Sequence, residues 1–159
     1  MRSAHWLALV VALSSSGCVH FVTHVPVGFV ELPRGQREGF AFRAVTPDGL
    51  VLAVRDVENP DIDGKPNGDT AFWVKAISNR LRDTGGYALL EQKDVTTKAG
   101  NKGVLLSYGH DEGRSPHRYQ VALFQARDRL LVVEAGGEKA LFEAQAASVA
   151  QFLNDFEVK

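Results

Sequence analysis

Arg118-Tyr-Gln-Val-Ala-Leu-Phe-Gln-Ala126, the turn at Arg127-Asp128 and Leu130-Leu-Val-Val-Glu-Ala135 read as two strands joined tightly and apolar on both faces. Tyr119, Val121 and Leu123 point one way, Ala122 and Phe124 the other; Leu130 and Val132 oppose Leu131 and Val133. Gly103–Tyr108 repeats the pattern, with Val104, Leu106 and Tyr108 opposed to Leu105. A sheet with one wet face alternates apolar and polar residues, so these strands ask for cover on both sides.

Outward from this block, the chain supplies two covers. Trp73, Ile77 and Leu81 recur at helical spacing between Thr70 and about Asp83, with Asp69 placed to cap the start and Gly85-Gly86 to stop the end. A second helix is expected from Glu138 to about Phe156, with Phe142, Ala146, Val149, Leu153 and Phe156 on one face. Phe40–Val45 and Leu50–Val57 flank Thr46-Pro47-Asp48-Gly49, a turn in which Pro fixes φ and Gly supplies a positive one. Tyr87–Leu90 is a further strand. The order β-β-α-β-β-β-β-α with short hairpins predicts an α+β fold, an α/β/α sandwich with a mainly antiparallel central sheet and two covering helices.

Phe40-x-Phe-x-Ala-x-Thr-Pro-Asp-Gly49 leads into a second strand, and Phe72-Trp73 sits near a helix start. Gly86-Tyr87 opens a strand, and a meander ends in a helix closing Phe152-Leu153-x-x-Phe156. This layout, over about residues 28–158, resembles the PsbP-like sandwich, a group of photosystem extrinsic proteins, Ran-binding Mog proteins and bacterial DcrB-like lipoproteins. The resemblance implies binding or accessory roles, mostly without catalysis.

The N-terminus carries an address. Arg2, the eight-residue apolar run Trp6–Leu13 and the small residues Ser14–Gly17 describe an export signal, far short of the ~20 residues of a membrane span. Cys18, the only cysteine, follows the small residues and looks like the lipid-acceptor cysteine of bacterial lipoproteins, although Ser15 stands where that pattern prefers Leu. A lone cysteine in an exported chain has no internal disulfide to make. The expected organisation is a signal peptide over 1–17, lipid attachment and a tether over 18–27, and a sandwich domain over 28–159. A diacylglyceryl group and a palmitate on Cys18 would anchor the protein in the cell envelope. Val19, rather than Asp, after the cysteine favours the outer membrane, facing the periplasm, in a Gram-negative host.

Without residues 1–17 the chain keeps 142 residues, enough for one core, and its formal charge moves from -1 to -2. Dispersed charge without a basic stripe excludes nucleic acid as a partner. No cofactor or metal site is expected. Counted from Asp61, the loop Asp61-Ile62-Asp63-Gly64 puts Lys65, Pro66 and Phe72 where a calcium hand needs an oxygen ligand, Gly and Glu. Asn67, Asp69, Asp56 and Glu58 leave only a non-standard calcium site as an alternative. His20 and His24 lie in the tether. His110 and His117 flank a polar loop with Asp111 and Glu112, where they can face each other across a hairpin, but no pair has zinc-enzyme spacing. Ser107 and Ser115 lack a nucleophile elbow, Gly100–Gly103 and Gly136-Gly137 read as turns, and Glu134 reads as a rim charge.

The reading is a lipid-anchored, non-catalytic binding or accessory module with an envelope protein partner. The polar segments Glu58–Gly68 and Gly109–His117, with Asp61, Asp63 and Arg114, are its expected contact surface. Phe72 and Trp73 are adjacent, so one should pack in the core; an exposed aromatic there would be a binding anchor. Two alternatives stay open: an envelope enzyme with a loop-built site, and a carrier of a small apolar ligand in a pocket lined by Phe40, Phe42 and Phe124.

Overall fold

The computed structural model describes residues 20–62, 65–111 and 115–159. Cys18, the signal segment, Asp63, Gly64, Glu112 and Arg114 lie outside them.

The chain runs β1 (Phe21–Val22), β2 (Val30–Glu31), a 3-10 turn (Arg34–Gln36), β3 (Phe42–Val45), β4 (Val51–Glu58) and the small pair β5 (Asp61–Ile62) and β6 (Lys65–Pro66). Then come α1 (Thr70–Gly85), β7 (Ala88–Thr96), β8 (Lys102–His110), β9 (His117–Ala126), β10 (Arg129–Glu138), α2 (Lys139–Ala144), α3 (Ala146–Asn154) and β11 (Glu157–Val158). Seven strands form one sheet in the order β2-β3-β4-β10-β9-β8-β7, every pair antiparallel. The α+β sandwich expected from the two-faced strands is the architecture observed.

The strand faces divide as the alternation dictates. Ala122, Phe124, Leu131 and Val133 pack with Phe142, Val149, Phe152 and Phe156 from the C-terminal helical segment. Leu106, Tyr108, Val121, Leu123, Leu130 and Val132 face α1 through Trp73, Ile77 and Leu81. The second layer is thinner: no residue of α1 is fully buried.

Local chemistry sets the element ends. The Asp69 carboxylate accepts from the Phe72 N–H at 2.7 Å, and Gly86, at φ +65°, closes α1 in the left-handed conformation only glycine takes easily. Gly49, at φ +103°, turns the β3–β4 hairpin, where Thr46 Oγ1 accepts from the Leu50 N–H at 2.9 Å. The expected single C-terminal helix is broken: Gln145 leaves helical geometry at φ -103°, ψ 14°. The break re-aims the chain so that Phe142 before it and Val149 and Phe152 after it all reach the core. Phe156 lies beyond the helix yet is fully buried, and Phe152, absent from the expected apolar face, is buried too. β7 runs six residues past its expected end at Leu90, because an edge strand with a wet surface tolerates Glu91-Gln-Lys-Asp94.

Of the segment 18–27, residues 20–22 and Pro26 lie against the domain. Phe21 and Val22 pair with Val158 and Glu157, and the Phe21 ring stacks on Phe156 at 5.6 Å. His20 Nδ1 meets Asp56 Oδ2 at 2.6 Å, and its carbonyl accepts from the Lys159 N–H at 2.9 Å. The apolar side chains of Phe21 and Val22 explain why this segment packs instead of staying solvated. No helix among the described residues is long and apolar enough to cross a membrane.

Candidate functional site: a cleft on the helix-covered face of the sheet

α1 covers only part of its sheet face. Toward the C-terminal end of β10 the face stays open, and two adjoining hollows of about 530 and 310 Å³ share Tyr119 and Glu134. The larger runs under α1, past Trp73, Ile77 and Leu81; the smaller opens over Val51, Ala53, Gly136 and Gly137.

Segments far apart in the chain build this cleft. Glu134 sits within β10, opposite Ala53 of β4 and Val121 of β9, with a side chain only 12% exposed. It is therefore a mid-sheet carboxylate and not the rim charge expected from its place near a strand end. Arg55 of β4 partners it, Nε to Oε1 at 3.2 Å. The Arg55 guanidinium lies over the Phe40 ring at 3.8 Å, and Arg43 approaches the same ring at 5.7 Å. Tyr119 pairs with Gly136 across the ladder; a Cβ at 136 would stand 2.3 Å from the tyrosine ring, so glycine lets the ring lie flat on the strand. Tyr87 packs against Tyr119, ring centres 5.9 Å apart, and closes the side.

Phe40 is held by its own loop. Arg37 donates to the carbonyls of Leu32 at 2.9 Å and Ala41 at 2.6 Å and to the Glu31 carboxylate at 2.6 Å. Glu38, at φ 52°, turns its carboxylate onto Arg43. Arg43 Nε, in contrast, is buried with no hydrogen-bond partner among the described residues.

Burial sets the electrostatics of the two tyrosines. Burial raises the Tyr119 hydroxyl far above its ordinary range, and the nearby Glu134 charge adds to the effect, so the phenol stays neutral. Burial also raises Tyr87. Glu134 is matched by Arg55.

The residues singled out from sequence fall elsewhere. His110 and His117 are register partners across β8–β9, as the hairpin suggested, but His117 donates to the Ser115 carbonyl at 2.7 Å and His110 packs on Tyr87. Asp56 is taken up by Arg129 at 2.6 Å and by His20, and Glu58 by Arg129 at 3.4 Å. No group of three or more His, Cys, Asp or Glu able to hold a metal occurs among the described residues. Ser107 accepts from Gln120 at 3.2 Å. Phe72 is 55% exposed, while Trp73 packs toward the sheet and donates to the Gly68 carbonyl at 3.1 Å. Phe40, Phe42 and Phe124 do not share a pocket: Phe40 lines the cleft just described, Phe42 is core, and Phe124 lines a separate apolar cavity of about 310 Å³ between the sheet and α3.

The two loops expected to form one contact surface stand at opposite ends of the sheet. Glu58 pairs with Arg129 at the start of β10, and His117 with Glu138 at its end. The smaller hollow, at Gly136 and Gly137, lies toward the His117 end, and the larger runs along the sheet as far as Val57 and Leu130. His20 binds Asp56 near that second end, with Phe21 packed on the other face of the sheet.

No protein-family model matches the sequence, and no curated protein matches it by sequence. Solved structures do. Over 92% of this chain and 87% of its own, LpqN of Mycobacterium tuberculosis, described as involved in cell envelope biogenesis, aligns at 12% identity with a TM-score of 0.67. Cyanobacterial PsbP of Synechocystis covers 94% and 99% at 13% identity, TM-score 0.57. The Ran-binding protein Mog1p of Saccharomyces cerevisiae covers 93% of each chain at 14% identity, TM-score 0.56. The chain has the PsbP-like fold. At such identities the likeness establishes the fold, which is the one the sequence layout suggested.

Proposed function

We propose that this protein is a non-catalytic binding module of the bacterial cell envelope, held by lipid on Cys18, whose cleft on the α1 face of the sheet receives its partner. The observation that carries the reading is the open half of the sheet face, where Phe40, Arg55, Tyr119 and Glu134 converge from four segments. Concave surfaces with aromatic walls and a few fixed polar groups are built for recognition. The fold is shared with an envelope-biogenesis protein and with a Ran-binding protein, which supports envelope placement and a binding role. In a Gram-negative cell the module faces the periplasm from the outer membrane.

Crosslinking of the lipidated protein in membranes, followed by affinity capture, tests the reading. Phe40→Ala should reduce partner capture while the circular dichroism of the domain is unchanged, and Val27→Ala, an exposed position whose carbonyl meets Ser148 of α3, should leave capture intact. Capture lost in Val27→Ala and kept in Phe40→Ala would overturn the assignment of the cleft. The second reading, a carrier of a small apolar ligand, is favoured by one observation: Val95, Leu105, Phe124, Phe142, Val149 and Leu153 line the cavity between sheet and α3. Its volume, about 310 Å³, is at the low end for a ligand site.

A further inference from the structure

We infer that the cleft takes an amphipathic anion, a carboxylate or phosphate group carried on a compact apolar body, with the anion between Arg43 and Arg55 and the body under α1. The inference rests on the binding reading of this cleft and names its ligand class.

The cleft is unevenly charged in a protein that is slightly acidic overall. Arg43, Arg55 and Arg80 line it against Glu134, with Glu38 paired to Arg43 from its own loop. Arg43 and Arg55 both approach one ring, Phe40, which fixes two planar forks at one mouth. The Arg43 side chain is only 19% exposed, yet its Nε has no partner. A buried donor left unmade is costly, and a shift of the side chain toward an oxyanion bound in the cleft would relieve that cost. Arg55 keeps 45% of its side chain exposed and gives only Nε to Glu134, so its terminal nitrogens remain available on the open side. Beyond the arginines, the hollow under α1 is walled by Trp73, Ile77, Leu81 and Val132, which offers an apolar body dry contact. A bare anion would leave that hollow unused, and a neutral apolar molecule would leave Arg43 Nε unmade.

The test is equilibrium binding to the full lipidated chain in nanodiscs, with empty nanodiscs subtracted. The probes are 4-phenylbutyrate, 4-phenylbutyl phosphate, 4-phenylbutanol and acetate. Both aromatic anions should bind saturably, and the alcohol and acetate at least about tenfold more weakly, since a charge-assisted contact is worth about a factor of ten or more. Whichever anion binds more tightly tells carboxylate from phosphate. Arg43→Lys, which keeps charge but loses the fork, and Arg55→Gln should each cost about tenfold for the anions and little for the alcohol. Glu134→Gln removes the competing carboxylate and should tighten anion binding, a gain that loss of fold cannot produce. Equal affinity for 4-phenylbutyrate and 4-phenylbutanol, or anion binding unmoved by Arg43→Lys, Arg55→Gln and Glu134→Gln alike, overturns the inference. Failed anion binding with Phe40-dependent partner capture retained rejects this ligand class and leaves the docking reading standing. Anion binding as expected with no capture supports the inference and rejects a protein partner at the cleft.

Discussion

Tyr119 shows how one side chain ties the cleft to stability. It is a phenol with a raised folded-state pKa, against 10.0 for an ordinary tyrosine, held neutral by burial and by Glu134. Tyr87 and Tyr108 are raised in the same direction by burial. A folded-state pKa above the unfolded one means that the protonated form's contribution to stability is fully present below the unfolded value and lost as pH rises through the folded value. Urea-unfolding midpoints should therefore hold steady from neutral pH to about 9 and fall above about 10. Tyr119→Phe, with no proton to lose, should show a shallower alkaline decline than the wild type. An unchanged decline in that variant would show that Tyr119 does not carry the effect.

Among elements, the C-terminal helical segment makes the sharpest claim. Phe152 is 1% exposed and stacks on Phe42 at 5.7 Å, whereas Leu153 is only half-buried beside the α3 cavity. Phe152→Ala should cost about 3–5 kcal/mol, and Leu153→Ala distinctly less, by chemical denaturation. The sequence pointed to Leu153 because 3.6-residue periodicity was carried unbroken from Phe142 to Phe156; the turn at Gln145 shifts the phase. Where signals are local, sequence and structure agree. The Asp69 cap, the Thr46–Gly49 turn and the alternation of β8 to β10 each depend on neighbours a few residues away. The cleft depends on register between distant strands: Glu134 meets Arg55 and Tyr119 only because β10 pairs with β4 and β9 as it does. No spacing in the chain announces that meeting. The nearest clues were the paired glycines at 136 and 137 and the mid-strand charge of Glu134, which alone read as a turn and a rim charge.

For the whole molecule, the proposed anchor and the proposed cleft lie on opposite faces of the sheet: Phe21 packs into the α3 layer, and the cleft opens on the α1 side. Radiolabelled palmitate should enter the wild-type protein and be absent from Cys18→Ser; equal labelling of both would remove the proposed anchor. With Cys18 lipidated, one residue separates it from His20, which is bound to Asp56, so the sheet begins close to the bilayer. The short β1–β11 ladder then acquires a mechanical meaning. Any pull between membrane and partner arrives first at two paired residues, Phe21 and Val22, and at the His20–Asp56 contact, while the seven-stranded core lies behind them. Peeling residues 20–28 frees about 30 Å of chain at ~3.4 Å per residue. In magnetic tweezers gripping position 18 and the Gly109 end, an early extension step of that size should precede rupture of the core, and Asp56→Asn should lower its force. The domain would thus have two working reaches, one clasped against the bilayer and one paid out under tension, with its cleft intact in both.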